Sequence, residues 1–175
     1  MIGMRLPITI AAILVSCLSL NAPALSIPPA QVVQSPKFNN LSLKQLRIYQ
    51  LLWNGRKIYN YRYTLTNNCF CVPEVRGPLN IEVRNGITTS ITNAQTGEPV
   101  NSELLTSYST IPKLFNLIRD AINRGESELS VTYKPQQSYP TQINIGNLAA
   151  DAGVFTTISN FQELPEGSSS ESIKP

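Results

Sequence analysis

The sequence predicts an α+β fold, in the order α-β-β-β-α-β-β-β, with a mainly antiparallel sheet and two helices packed on one face. Three observations carry this. Two segments, 43–53 and 111–122, repeat apolar residues at helical spacing. Between and after them, short runs alternate apolar with polar residues, as half-buried strands do. The links between strands are short and rich in turn residues, which suits hairpins and so antiparallel neighbours.

The first helix is expected to start at Leu43, capped by Ser42. Leu43, Leu46, Tyr49, Leu52 and Trp53 give it an apolar face, and Asn54-Gly55 marks its end or the turn before it. Tyr59, Tyr61, Tyr63 and Leu65 then alternate with Asn60, Arg62 and Thr64, which predicts a strand with one aromatic face. Pro73, Gly77 and Pro78 mark a loop. Leu79, Ile81 and Val83 form the second strand, Asn85-Gly86 signals a type I′ hairpin, and residues 87–91 return as the third. Residues 93–108 are polar and turn-rich and read as loop.

The second helix carries the fullest set of signals. Thr110 can cap it, Pro112 sits in its first turn, and Gly125 can end it in the left-handed conformation. Ile111, Leu114, Phe115, Ile118, Ala121 and Ile122 build a wide apolar stripe. Leu129, Val131 and Tyr133 alternate in a fourth strand. Ile143 and Ile145 lie in a fifth, after a turn with Pro135 and Pro140, and residues 154–161 form the sixth. The two halves share an αβββ rhythm without a residue-level repeat.

Residues 1–26 read as an export signal rather than as structure. Arg5 precedes an apolar run over residues 8–20, a length that suits a signal and is short for a span. Ala22-Pro23-Ala24 and Ala24-Leu25-Ser26 both offer small residues for cleavage. Leu14-Val15-Ser16-Cys17 resembles a lipobox, which would make Cys17 a lipidation site. The apolar run continuing past Cys17 favours ordinary cleavage; an uncleaved anchor is the third alternative. The expected location is exported, periplasmic or extracellular, with membrane anchoring through Cys17 if the lipobox is used. Residues 27–40, with Pro28, Pro29 and Pro36, read as a flexible lead, residues 41–164 as a single domain, and residues 165–175 as a disordered tail. No other stretch is apolar enough to span a bilayer.

The formal charge of +3 is no nucleic-acid profile. Its distribution is uneven. Between Lys37 and Arg84 only Glu74 and Glu82 oppose a series of bases that includes Lys44, Arg47, Arg56, Lys57, Arg62 and Arg76. Such a half could lean on anionic lipid, cell-wall polymer or an acidic partner. Charges that pair across the fold on a solvated surface are the plainer reading.

An ordered series of short motifs runs through the folded part. It comprises Trp53, then Tyr61-Arg62-Tyr63, Cys69-Phe70-Cys71, Arg76-Gly77-Pro78 and Asn85-Gly86. Thr96-Gly97-Glu98-Pro99-Val100, Thr110-Ile111-Pro112-Lys113-Leu114-Phe115, Val131-Thr132-Tyr133 and Tyr139-Pro140-Thr141 complete it. In this the chain resembles the exported bacterial proteins grouped as domain of unknown function 6174, over residues 41–161. The resemblance implies an envelope location and a shared fold, and supplies no activity. In the family pattern an acidic residue often follows the tyrosine of the first late strand, and a glycine often precedes Tyr-Pro. Lys134 and Ser138 stand there instead, and an acidic residue near Gly146 is missing. If those acids carry a family function, this member has lost it.

Cys69 and Cys71 are the two cysteines left once the signal is removed. In a straight strand their Cα atoms would lie about 6.6 Å apart on one face, at the far end of disulfide geometry. A local bond therefore needs a bend, which Asn67-Asn68 and Pro73 make plausible. So small a ring stabilises little through loop closure and is strained, so the pair reads as a mostly structural disulfide, with a redox role as the lesser option because a strained bond is more easily reduced. Unpaired or intermolecular thiols are the alternative. A closed metal site is nearly excluded, because the chain has no histidine and no third mature cysteine; a two-thiolate Cu(I) site is the remaining metal option.

The absence of histidine also removes Ser-His-Asp and Cys-His catalysis. Glu74, Glu82, Glu98, Glu103 and Asp151 are scattered, so no carboxylate pair is visible. Tyr59, Tyr61 and Tyr63 could line a groove, although a stripe at strand spacing more often belongs to a core. No cofactor is expected. The sequence thus points to a non-enzymatic envelope module that binds a protein, a lipid or a cell-wall component through the sheet face opposite the helices. Its alternative is a thiol–disulfide protein acting through Cys69-Phe70-Cys71, and a carboxylate hydrolase is a third option.

Overall fold

Alternating burial along the strands builds a sheet with a core side and an open side in a computed structural model that describes residues 36–126, 128–146 and 153–166. The expected export signal with Cys17, residues 27–35 of the lead, Asp151 and residues 167–175 lie outside the described residues. The elements are α1 (Pro36–Arg56), β1 (Tyr61–Cys69), α2 (Pro73–Arg76), β2 (Leu79–Arg84) and β3 (Ile87–Asn93). Then come a 3-10 turn (Ser102–Leu105), α3 (Ile111–Arg124), β4 (Leu129–Tyr133), β5 (Pro140–Ile145) and β6 (Val154–Glu163). The α+β order α-β-β-β-α-β-β-β is present, with two short helical turns, α2 and Ser102–Leu105, added where the sequence suggested loop.

The six strands form one antiparallel sheet in the order β3-β2-β1-β6-β5-β4. Each half is a meander of sequential antiparallel strands, and the halves meet at β1 and β6. Tyr61, Tyr63 and Leu65 of β1, Ile81 and Val83 of β2, Ile143 of β5 and Ile158 of β6 all turn to the same side and are buried. Both long helices cover that side. Trp53 of α1 meets Tyr61, Tyr139 and Phe161 edge-on, and Tyr49 stacks on Tyr133 at 4.2 Å. Ile111, Leu114, Phe115, Ile118, Ala121 and Ile122 of α3 are all buried, as the stripe predicts. Arg119 of α3 donates from Nη2 to Gln50 Oε1 and ties α3 to α1.

Local chemistry explains the element ends. Thr110 Oγ1 accepts from the Lys113 N–H at 3.3 Å, and Gly125, at φ 72°, closes α3 with its N–H on the Ala121 and Ile122 carbonyls. Asn85 and Gly86 both have positive φ, as a type I′ turn demands. Two expectations need correction. α1 starts at Pro36, ahead of Leu43, so the expected flexible lead overlaps a helix; Pro36 at the first position loses no intrahelical bond. Leu52 lies outside the apolar face and is 50% exposed, together with Ile48 and Leu51. Leu46, Tyr49 and Trp53 already define the buried stripe, and Leu52 falls about 100° round the helix from Trp53.

Candidate functional site

The side of the sheet away from the helices has no covering layer among the described residues, and its polar positions form the candidate site. A depression of about 740 Å³ lies across β3, β2, β1 and β6. Thr64 is its floor, only 9% exposed. Thr64 Oγ1 donates to Asn80 Oδ1 at 3.1 Å and accepts from Asn160 Nδ2 at 3.3 Å, so one residue from each of three adjacent strands is fixed. Beside them Arg62 Nε donates to Gln162 Oε1 at 2.8 Å, and Arg84 Nε donates to Glu82 Oε1 at 2.8 Å. Ser90 and Thr92 complete the wall from β3.

Two irregularities shape the depression. The β1–β6 register shifts between Arg62 and Thr64, and the β2–β3 register shifts between Glu82 and Val83. Bulges bend a strand and re-aim its side chains. Asn160, at φ 50°, takes the left-handed conformation in the first of them, which asparagine tolerates better than most residues. Tyr63, Ile81 and Phe161 also line the depression. The first two are buried, and Phe161 packs on Trp53, Tyr61 and Tyr139. What the face offers outward is therefore hydroxyl, amide and guanidinium chemistry, with the single carboxylate of Glu82.

The expected tyrosine groove does not assemble. Tyr61 and Tyr63 sit inside the core, while Tyr59 precedes β1 and is 55% exposed. The Tyr61 and Tyr63 hydroxyls hold the start of α3 and the link that precedes it. Tyr61 Oη accepts from the Ile111 N–H at 3.0 Å, and Tyr63 Oη donates to the Tyr108 carbonyl. Burial pushes the Tyr61 hydroxyl up to about 12, against a smaller lowering by the Ile111 N–H. Burial, with Tyr61 nearby, raises Tyr63 well above the ordinary tyrosine value.

Cys69 and Cys71 stand at bonding distance, with sulfurs 1.96 Å apart and Cα atoms 5.3 Å apart. β1 ends at Cys69, which supplies the bend that a straight strand lacks. The turn pushes Phe70 out to 84% exposure, with Val72 exposed beside it. Arg76 Nε donates back to the Cys71 carbonyl at 2.9 Å. This tip lies at the far end of β1 from the depression.

Among the described residues no three His, Cys, Asp or Glu side chains gather as metal ligands. A second depression of about 450 Å³ lies between the β2–β3 turn and the start of α3, with Glu103 and Lys113 on its wall. Each depression carries one carboxylate, Glu82 or Glu103, so neither presents the pair that a carboxylate hydrolase needs. In the basic first half Arg56 and Arg84 are ion-paired, with Glu163 and Glu82, whereas Arg62 donates to Gln162 and Arg76 to a backbone carbonyl.

Sequence reasoning named the open sheet face and set Arg62 and Thr64 opposite the aromatic positions, but singled out none of its residues as a site. The usable signal was the polar half of each alternation, where Asn80 and Asn160 occupy strand positions that asparagine rarely favours.

No described helix is long and apolar enough to cross a membrane. Comparison with curated proteins and with solved structures returned no match. Residues 45–163 match the model of the family of unknown function DUF6174, so the ordered motifs from Trp53 to Tyr139-Pro140-Thr141 mark a true kinship and the chain belongs to that family.

Proposed function

We propose that the chain is a non-enzymatic binding module of the bacterial envelope, exported by its N-terminal signal, which holds its partner on the open face of the sheet. The observation that carries this is the one-sided cover. A six-stranded sheet is packed by α1 and α3 on one side, and the other side carries a shaped polar depression with its side chains tied in place. Side chains fixed before binding lose less entropy when a ligand arrives. The test is co-sedimentation of the purified protein with washed membranes and with cell-wall sacculi. Retention that falls with Asn80→Arg and Ser90→Arg, both exposed on this face, supports the reading. Retention that ignores both variants, or none at all, overturns it.

The pairing of Cys69 with Cys71, with Phe70 exposed between them, leaves room for a second reading, a thiol–disulfide protein. Replacing both with serine separates the two. Loss of an envelope thiol-exchange activity supports the redox role, whereas a lowered melting temperature alone leaves the pair structural.

A further inference from the structure

We infer that the depression on the open face receives an uncharged glycan strand. The inference rests on the binding-module reading and adds the class of ligand.

Unused hydrogen-bonding capacity points there. Among the described residues, the Asn80 amide N–H groups, the Asn160 carbonyl oxygen and the Gln162 amide N–H groups have no partner, because their other ends are spent on Thr64 and Arg62. The Ser90 and Thr92 hydroxyls are likewise uncommitted. Each anchored amide thus presents one fixed polarity outward, and each hydroxyl presents either. A polyol, whose every hydroxyl both donates and accepts, satisfies such a mixed array.

Three rival occupants fit less well. An anionic polymer would call for a cluster of cations, yet Glu82 sits between Arg62 and Arg84 and is held by Arg84. An apolar partner would meet no apolar side chain turned outward, since Tyr63, Ile81 and Phe161 pack toward the core. A peptide strand binds a sheet by its edge, through free backbone groups. Here β2, β1 and β6, which carry the three amides, have neighbours on both sides, so their ladders are filled, and the edge strand β3 is met beside Thr92 by residues 98–100. Recognition over those three strands must run through side chains. Four strands at their usual spacing span about 14 Å, which suits an oligosaccharide better than a single sugar.

The experiment is an NMR titration of the labelled protein, expressed with its export signal, against cellohexaose, chitohexaose, xylohexaose and mannohexaose at millimolar concentration. Polygalacturonate and an extended neutral peptide serve as comparators. The expected result is shifts at the amides of Thr64, Asn80, Asn160 and Gln162 with at least one uncharged hexasaccharide. Asn80→Ala should weaken that binding roughly 3- to 10-fold, the loss of one or two neutral hydrogen bonds, without unfolding the domain. No shift with any of the four overturns the inference. So does an equal response to polygalacturonate or to the peptide. If envelope retention still depends on Asn80 and Ser90 while all four sugars fail, the binding module stands and its ligand is not a glycan; if retention fails as well, both fall.

Discussion

Asn67 joins three elements through one buried amide, and its removal is the sharpest test of the fold's polar interior. Asn67 is 3% exposed and faces the core side of β1. Its Oδ1 accepts from Thr156 Oγ1 of β6 at 2.7 Å, and its Nδ2 donates to the Val75 carbonyl of α2 at 2.9 Å. Asn67→Ala leaves the Thr156 hydroxyl, itself 1% exposed, without its acceptor. An orphaned buried polar group costs about 1–3 kcal/mol. Thr156 also meets the Tyr108 hydroxyl, which holds its share to the lower part of that range. The Val75 carbonyl lies on a half-exposed turn and recovers water, adding about 0.5–1 kcal/mol. The sum is about 2 kcal/mol, or roughly 8 °C in melting temperature for a domain of this size. Urea unfolding at constant m-value measures it. The double-mutant cycle with Thr156→Val should show coupling of about 1 kcal/mol, because the two changes remove one shared bond. A cost below about 0.5 kcal/mol, or strict additivity, would refute the claim that this contact is a buried anchor.

Other outcomes follow from the same reasoning. The folded-state value of Tyr61 lies above the ordinary tyrosine value, so its contribution is fully present below about pH 10 and is lost as pH rises toward 12. That loss reaches about 2–3 kcal/mol as pH passes 12, and Tyr61→Phe should flatten this part of the stability profile. Ser138 sits at φ 62° in the β4–β5 turn, where the resemblance places glycine. Ser138→Gly should therefore stabilise by about 0.5–1 kcal/mol, read as a raised urea midpoint. Gly77→Ala should destabilise severely and reduce the yield of folded protein: Gly77 is at φ 80°, and an added Cβ would lie 2.6 Å from the Leu65 carbonyl oxygen. Replacing Cys69 and Cys71 with serine should cost only about 1.5 kcal/mol, since so short a loop restricts the unfolded chain little; thermal unfolding with and without reductant checks this.

The legible parts of the fold were those specified locally. The β2–β3 turn is Asn85-Gly86 and nothing beyond those residues is needed to place it. α3 carries its cap, its apolar stripe and its terminal glycine within residues 110–125. α1 was misjudged at its start because Ser42 offers a cap that the chain does not use; an interior serine costs a helix well under about 1 kcal/mol, too little to stop it. Leu52 was misjudged because helical spacing from Tyr49 admits it, while the width of the sheet-facing stripe does not. The depression was illegible for a different reason. It requires β1 to lie beside β6 and Asn160 to sit in a bulge against Thr64. Neither condition is written in any window of the sequence, because strand order is a long-range choice. What the alternation did give was the face, with its side chains known and their neighbours unknown.

The shared αβββ rhythm invites an account by duplication, and the topology argues against a symmetric one. A two-fold axis normal to the sheet would reverse the strand order and set β1 beside β4. The observed order places β1 beside β6, so strand sequence across the sheet is the same in both halves. Every neighbour is antiparallel, so β4, β5 and β6 run opposite to β1, β2 and β3 respectively. Keeping the order while reversing direction needs an in-plane two-fold axis perpendicular to the strands, and that operation exchanges the faces of the sheet. It would put α1 and α3 on opposite sides. They lie on the same side, bridged by Arg119 and Gln50. No rotation or translation therefore relates the halves. The rhythm reflects instead what a three-stranded meander requires: each buries one face, each must find a helix to cover it, and a single layer built from both helices serves the joined sheet while leaving its other face free to bind.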